Sequence, residues 1–349
     1  MAMADGQSAE RRGLRRLRYP LVVLSLLLLL AAVWSAGYLL TPASLPADKT
    51  ATVVIPKGSS LKSITALLAN ASLITDGAGE RLSFQILAKM SGRARRLPAG
   101  EFALGGGQRP LALLQALVTA KPLSYTITLP EGLTAAEMAD ILAREGWCDK
   151  AEYLRLMTDA AFIDKLGFAE SPSLEGYLYP DTYQLSKADE GAENLIAMQT
   201  RRFKEVWKAL GGDRLDAAAQ RQAVILASLV EKETALAAER PLIAGVFTNR
   251  LRQGMPLQSD PTVLYGVAAS PRPITRADLE RSTPYNTYVI AGLPAGPIAN
   301  PGKAALSAAL NPAKTDFLYF VAKNGGSHQF STTLEEHNTA VRQYQRRGK

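Results

Sequence analysis

Apolar and polar positions follow a helical period over residues 215–234. Residues 222–230 carry no charge and run directly into Glu231. The segment is rich in Ala, Leu and Val and contains neither Gly nor Pro, so it predicts a helix that begins near Leu215.

The two faces of this predicted helix differ in the size of their side chains. At ~100° per residue, the face around Glu231 carries small residues, whereas the opposite face is bulky. The small face holds Val224, Ala227, Ala235 and Ala238, with Ser228 and Thr234 beside them; the bulky face holds Ile225, Leu226, Leu229 and Leu236. The pattern therefore predicts a buried helix with one carboxylate on its small face.

Two interpretations of Glu231 follow from this pattern. A buried carboxylate must be paired or kept protonated, and a protonated Glu near neutral pH is what a general acid requires. Alternatively, Glu231 begins the polar end of an emerging helix and is solvated with Lys232 and Glu233. The residue pattern alone favours neither.

The N-terminal forty residues have the charge pattern of a membrane anchor. Five arginines lie between residues 11 and 18, and residues 21–40 carry no charge. Twenty apolar residues span roughly 30 Å as a helix, and the arginines predict a cytoplasmic N-terminus. We therefore expect a single-pass protein of the inner (cytoplasmic) membrane with its remaining chain extracytoplasmic (periplasmic). A cleaved signal peptide is the alternative.

A repeat with an offset of 74 residues follows a short linker. Ile55-Pro-Lys-Gly and Leu129-Pro-Glu-Gly each follow a β-rich segment and precede an amphipathic helix with a natural N-cap, Ser60 or Thr134. The repeat predicts α+β structure, and the plainer interpretation is a scaffold used twice.

Polar and aromatic motifs lie on both sides of the Glu231 helix. Residues 175–183 (Glu-Gly-Tyr-Leu-Tyr-Pro-Asp-Thr-Tyr) suit stacking on sugar rings, although alternating tyrosines are also typical of a half-buried strand. Residues 258–262 and 285–288 are polar loops, and the Gly and Pro density of residues 292–302 predicts a shaped loop.

Composition and charge narrow the functional classes. A chain of 349 residues suggests two or three domains. One cysteine and two histidines leave no cluster for a metal, so we expect neither metal nor cofactor. The net charge is +8, of which +3 lies in the first 18 residues. The mildly basic remainder suits an anionic polymer or surface, and no nucleic-acid motif is present.

Six motifs together resemble the endolytic murein transglycosylase family, also called YceG-like, over roughly residues 50 to 345. They are Leu-Val-Glu-Lys-Glu-Thr at 229–234, the segments 175–183, 258–262, 285–288 and 292–302, and His328-x-Phe330 with Glu336-His337-Asn338. The resemblance implies that Glu231 is catalytic and that the N-terminal part is LysM-like. By family position it implies that the glycan is held by Glu175, Tyr177, Tyr183, Gln258, Ser259, Asp260, Tyr285, Asn286 and Thr287.

The combined expectation is a lytic transglycosylase of α+β class whose catalytic domain has a buried Glu-bearing helix. The predicted segments are a basic tail (1–20), a transmembrane helix (21–40), a linker (41–50), a LysM-like α+β module (51–147) and a catalytic domain (148–349). The enzyme would cut the MurNAc-β-1,4-GlcNAc bond of nascent peptidoglycan, leave 1,6-anhydro ends and terminate strand elongation. Its expected partners are membrane-bound synthases.

Two other functional classes stay open. A hydrolase (muramidase) would need a second carboxylate to position water, and Glu175, Glu233 or Asp260 could supply it. A glycan-binding scaffold without catalysis would use only the LysM-like part and would tolerate loss of Glu231.

Overall fold

The computed structural model describes residues 5–42, 44–267, 272–323 and 325–345. The chain forms two compact units, Met1–Tyr125 with Leu185–Asp189, and Thr126–Gln184 with Glu190–Lys349. The first division falls at residue 125, whereas the domain boundary predicted from the sequence lies at residue 147. The functional assignment of the predicted segments stays a prediction.

The first unit packs helices against one antiparallel pair of strands. Its elements are α1 (Asp5–Leu40), β1 (Thr50–Ile55), α2 (Leu61–Asn70), α3 (Ala78–Met90), β2 (Gly100–Gly105) and α4 (Pro110–Thr119). β1 pairs with β2 from Thr50 opposite Gly105 to Ile55 opposite Gly100. The predicted N-cap of α2 is confirmed, because the Ser60 side chain accepts a hydrogen bond from the Ser63 N–H.

The C-terminal end of α1 packs into this unit. Tyr38 belongs to the same hydrophobic core as Val53 and Phe84, and α1 lies against α3 and α4. Among the described residues, no helix combines the length and apolar character needed to cross a membrane. The inner-membrane localisation predicted from a single-pass anchor at residues 21–40 is therefore wrong. The last turn of the helix packs against protein instead.

The second unit is mainly helical, with two small two-stranded sheets. Its elements are β3 (Tyr125–Thr128), α5 (Ala135–Arg144), α6 (Lys150–Leu156), α7 (Ala160–Lys165), β4 (Thr182–Leu185), α8 (Ala192–Ala209), α9 (Ala217–Glu233), α10 (Arg240–Arg252), α11 (Pro261–Leu264), α12 (Arg276–Glu280), α13 (Lys303–Leu310), β5 (Tyr319–Ala322), β6 (His328–Ser331) and α14 (Leu334–Tyr344). β3 pairs with β4, and β5 is antiparallel to β6. Helices with small sheets are compatible with the predicted α+β class.

The core of the second unit lies around α9, which packs against α10 and α13. Val224, Leu229 and Val230 are fully buried there, so the prediction of a buried helix is confirmed. Asp216 caps its first turn by accepting a hydrogen bond from the Ala219 N–H.

The helix is shorter than the apolar pattern predicts. Thr234 adopts an extended conformation, and its Oγ1 accepts a hydrogen bond from the Leu236 N–H. This local side-chain bond competes with the helical ladder and ends α9 at Glu233. Ala235 and Ala238 are exposed and belong to no face of α9, so the small face around Glu231 is built only from residues before it.

Candidate active site

Glu231 lies in the last turn of α9 with its side chain only 5% exposed. Arg240 Nη2 donates to Oε1 at 2.9 Å, and the Gly302 N–H donates to Oε2 at 2.9 Å. The carboxylate is therefore buried and paired, and it is not solvated at an open helix end. α9 supplies the acid, α10 supplies the cation, and the loop before α13 supplies the amide.

A second carboxylate reaches the same guanidinium. Glu131 Oε2 lies 3.6 Å from Arg240 Nη2, and the Glu131 side chain packs directly on Gly302, where a Cβ would overlap it. Burial, with a contribution from Glu231, raises the pKa of Glu131, and Arg240 opposes that shift. In the sequence, Glu131 is the middle residue of a Pro-x-Gly turn. Its one sequence signal was a charge inside a turn.

Backbone hydrogen bonds hold the Glu131 turn in place. The Gly132 N–H donates to the Asn300 carbonyl at 3.0 Å, and the Asn300 N–H donates to the Leu133 carbonyl at 2.8 Å. Lys232 Nζ adds a bond to the Gly132 carbonyl at 3.2 Å. Gly132 has a φ of +79°, a left-handed conformation that favours glycine. The turn and the end of α9 are thus fixed relative to each other within the second unit.

Glu175 is a buried structural acid. Its carboxylate accepts hydrogen bonds from Asn300 Nδ2 at 2.7 Å, Tyr265 Oη at 3.0 Å and the Ala135 N–H. Burial raises the pKa of Glu175 to about 7. Asn300 Oδ1 in turn accepts from the Gly176 and Leu178 N–H groups. These bonds place Glu175 in the interior, where it ties the 175–183 segment to the loop before α13.

The tyrosines of this segment are core residues. Tyr177 packs against Phe168 and Phe203, with ring centroids 4.9 and 5.2 Å away. Tyr183 is buried in β4, and its hydroxyl donates to the Tyr179 carbonyl. Both side chains are less than 10% exposed, so the interpretation as packing describes them better.

A second group of predicted residues surrounds Glu233. The Ser259 hydroxyl donates to Glu233 Oε1, and Tyr288 Oη donates to Asp260 Oδ1 at 2.6 Å. Burial raises the pKa of Glu233 to about 7, and Asp260 contributes in the same direction. The loops 258–262 and 285–288 therefore meet next to Glu233.

Buried polar residues join these two loops. The Ser259 N–H donates to Thr287 Oγ1 at 2.9 Å, and the Gln258 N–H donates to the Thr287 carbonyl at 3.1 Å. Asn286 is fully buried and donates to three backbone carbonyls, those of Asp278, Leu279 and Arg281. The half-buried Tyr285 ring packs against Tyr265. Of the predicted residues in these loops, Gln258 and Asp260 are exposed.

His328 forms a hydrogen-bonded pair with Glu239, the residue before Arg240. His328 donates its backbone N–H to Glu239 Oε1 at 2.8 Å, and its Nδ1 lies 2.7 Å from Glu239 Oε2. This bond lowers the pKa of Glu239 against the raising effect of burial. Among the described residues, no group of three or more His, Cys, Asp or Glu side chains is arranged to hold a metal ion.

The raised pKa of Glu175 predicts that the protein loses stability as the pH rises from about 4.5 to about 7. Over this range the folded protein keeps a proton that the unfolded chain has released, so stability is greatest at the acidic end. Glu175→Gln, which resembles the protonated acid, should weaken this pH dependence, as measured by urea unfolding across the range. Glu233 titrates similarly, so the dependence should not vanish. An unchanged dependence, equal to that of the exposed control Glu145→Gln, would contradict the assignment.

Comparisons with known proteins give one consistent result. The profile of the YceG-like family matches residues 53–343. A relative named endolytic murein transglycosylase, from Bacillus subtilis (strain 168), is 36% identical over 323 residues, which cover 88% of each chain. One of the same name from Streptococcus pneumoniae serotype 2 (strain D39 / NCTC 7466) is 30% identical over 92% of this chain and 65% of its own.

A solved structure agrees with the sequence comparisons. The crystal structure of a yceG-like protein from Listeria monocytogenes is similar with a TM-score of 0.56 and 33% identity, over 84% of this chain and 99% of that chain. The resemblance inferred from the six sequence motifs is thereby confirmed. On these matches, this chain belongs to the YceG-like family.

Proposed function

We propose that this protein is an endolytic lytic transglycosylase that cleaves the MurNAc-β-1,4-GlcNAc bond of peptidoglycan and leaves 1,6-anhydro-MurNAc ends. The observation that carries the proposal is the Glu231 carboxylate, held at the end of a buried helix by Arg240 and the Gly302 N–H. The names of the relatives, endolytic murein transglycosylase, support the substrate and the reaction.

Glu231 is the proposed acid and base of this reaction. As the acid, it gives its proton to the O4 atom of the leaving sugar while the C1–O4 bond breaks and C1 develops oxocarbenium character. As the base, it then takes the proton of the muramoyl C6 hydroxyl while that oxygen bonds to C1. The carboxyl group ends the cycle as it began, and no water is consumed.

The exposed loop residues are the proposed glycan contacts. Gln258 and Asp260 present polar groups to solvent, and Tyr285 is half-buried against Tyr265. Ser259, Asn286 and Thr287 are buried and support the loops from beneath. Glu175, Tyr177 and Tyr183 act from the interior, so we propose that they shape the site without touching sugar.

A muramidase is the second candidate, and Glu131 is the observation that favours it. A hydrolase needs a carboxylate to activate water, and Glu131 is a partly exposed carboxylate on the same guanidinium as Glu231. The sequence suggested Glu175, Glu233 and Asp260 for this role, and none of these three forms an ion pair with Arg240.

Product analysis tests the proposal directly. Purified protein should release fragments with 1,6-anhydro ends from uncrosslinked glycan strands, each lighter by one water than a reducing end, as read by mass spectrometry. Reducing ends would establish the muramidase. Absence of cleavage by a folded protein would leave only a glycan-binding role.

Two further assignments concern the N-terminal segment and the place where the enzyme acts. We propose that residues 51–147 carry a LysM-like glycan-binding module; sedimentation with purified peptidoglycan that is unchanged when its β1–α2 segment is altered would contradict this. We also propose that the enzyme cuts strands near the synthases that produce them and so limits strand length. Unaltered strand lengths in cells lacking the protein would contradict that role.

A further inference from the structure

One guanidinium serves two carboxylates at this site. Arg240 is 7% exposed, and its Nη2 lies 2.9 Å from Glu231 and 3.6 Å from Glu131. Its Nε has no hydrogen-bond partner among the described residues. With both acids ionised the three groups carry a net charge of −1, so one added proton makes the cluster neutral.

The two carboxylates differ in access to solvent. The Glu231 side chain is 5% exposed, whereas the Glu131 side chain is 47% exposed. Two ionisable groups of the described residues lie beside the cluster. Lys232 bonds the Gly132 carbonyl, and Tyr179 lies within electrostatic range of Glu131. Glu131 is therefore the nearest alternative counter-ion for Arg240.

The reaction requires a proton on the acid before each cycle. A guanidinium bonded only to that acid would favour its ionised form and reduce the fraction able to donate. If Arg240 pairs with Glu131 instead, the cluster of two acids, one guanidinium and one proton on Glu231 carries no net charge. Burial and the charge of Glu231 raise the pKa of Glu131, so the two carboxylates lie within electrostatic range of each other.

We propose that Glu131 is a positioning residue that acts through Arg240, accepting the guanidinium while Glu231 carries the catalytic proton. This inference rests on the proposed function of Glu231. When Glu231 gives its proton to O4, Arg240 returns to the new carboxylate; when Glu231 takes the C6 hydroxyl proton, Arg240 moves back to Glu131. No atom or charge beyond the substrate and these three side chains is needed.

The test is the pH profile of kcat/KM for Glu131→Gln in the full chain, with glycan strands as substrate. Removing this carboxylate leaves Arg240 with Glu231 alone, so the basic limb of the profile should move about one pH unit lower. At pH values above the limb, this shift lowers kcat/KM about tenfold. Activity at acidic pH and KM should be unchanged. Glu131→Asp, which keeps the charge, should restore part of the shift. The exposed Glu145→Gln is the control.

Each other outcome has a distinct meaning. A Glu131→Gln profile that overlays the wild-type profile, while Glu231→Gln is inactive, overturns the positioning role and leaves the proposed function intact. Loss of activity by Glu131→Gln at every pH means direct participation in the chemistry and also overturns it. Activity retained in Glu231→Gln removes the proposed catalyst itself, whatever Glu131 does.

Discussion

Glu231→Gln is expected to reduce glycan cleavage by at least roughly 10²–10⁴-fold while the protein stays folded. The amide oxygen can still accept a hydrogen bond from either the Gly302 N–H or Arg240. The amide group cannot give a proton to the leaving oxygen. The measurement is the rate of release of anhydro-ended fragments, with the unfolding midpoint recorded in parallel. Near wild-type turnover in a folded variant would remove Glu231 from the mechanism.

Glu233→Gln is the matched comparison, because it changes the other acid at the same helix end. Glu233 accepts a hydrogen bond from Ser259 and does not contact Arg240 in the structure. Its pKa of about 7 gives it a proton near neutral pH, so it is the strongest competitor for the role of acid. We expect the smaller loss from Glu233→Gln. The reverse order would assign the catalytic proton to Glu233.

Gly176→Ala is expected to lower the free energy of unfolding by about 2–4 kcal/mol, from backbone strain and overpacking together. Gly176 has a φ of +87°, and an added Cβ would lie 2.6 Å from Pro297 Cβ and 3.0 Å from Val224 Cγ1. The close approach joins the 175–183 segment to α9 and to the loop before α13. Urea unfolding of the wild-type protein and of Gly176→Ala measures the difference in free energy of unfolding.

Gly292→Ala separates the two contributions to that loss. Gly292 has a φ of +82°, but nothing lies within 4 Å of the position its Cβ would take. This variant should therefore show only the backbone strain, roughly 1–2 kcal/mol. Equal losses in the two variants would mean that the contact with Pro297 and Val224 contributes nothing.

Local sequence signals predicted local structure well. The N-caps predicted at Ser60 and Thr134 are both present, each side chain accepting a hydrogen bond from an N–H in the first turn. Each depends on residues within a few positions of one another, so pattern and propensity suffice. The end of α9 is the exception, because the side chain of Thr234 competed with an apolar pattern that continued past it.

The candidate site was predicted only in part, because its partners are distant in sequence. The small face of α9 drew attention to Glu231, but its partner Glu131 lies 100 residues earlier, in a turn interpreted as scaffold. Arg240 is the first residue of α10, and nothing in the neighbouring sequence indicates that its side chain pairs with Glu231. Similarly, residue type could not distinguish Tyr177 as a core ring from a sugar platform, since both uses require an aromatic face and a hydroxyl.

The contacts of Asn300 set the order in which parts of the second unit can fold during synthesis. Its side chain bonds partners 122, 124, 125 and 167 residues earlier, and Gly302 beside it reaches back to Glu231. Contacts this far apart in sequence form slowly, since long loops must close first. During synthesis, the Glu131 turn and the Glu175 carboxylate emerge from the ribosome long before the residue that joins them. The candidate active site around Glu231 is therefore among the last parts of the protein to be completed, and a nascent chain that ends before residue 300 cannot form it.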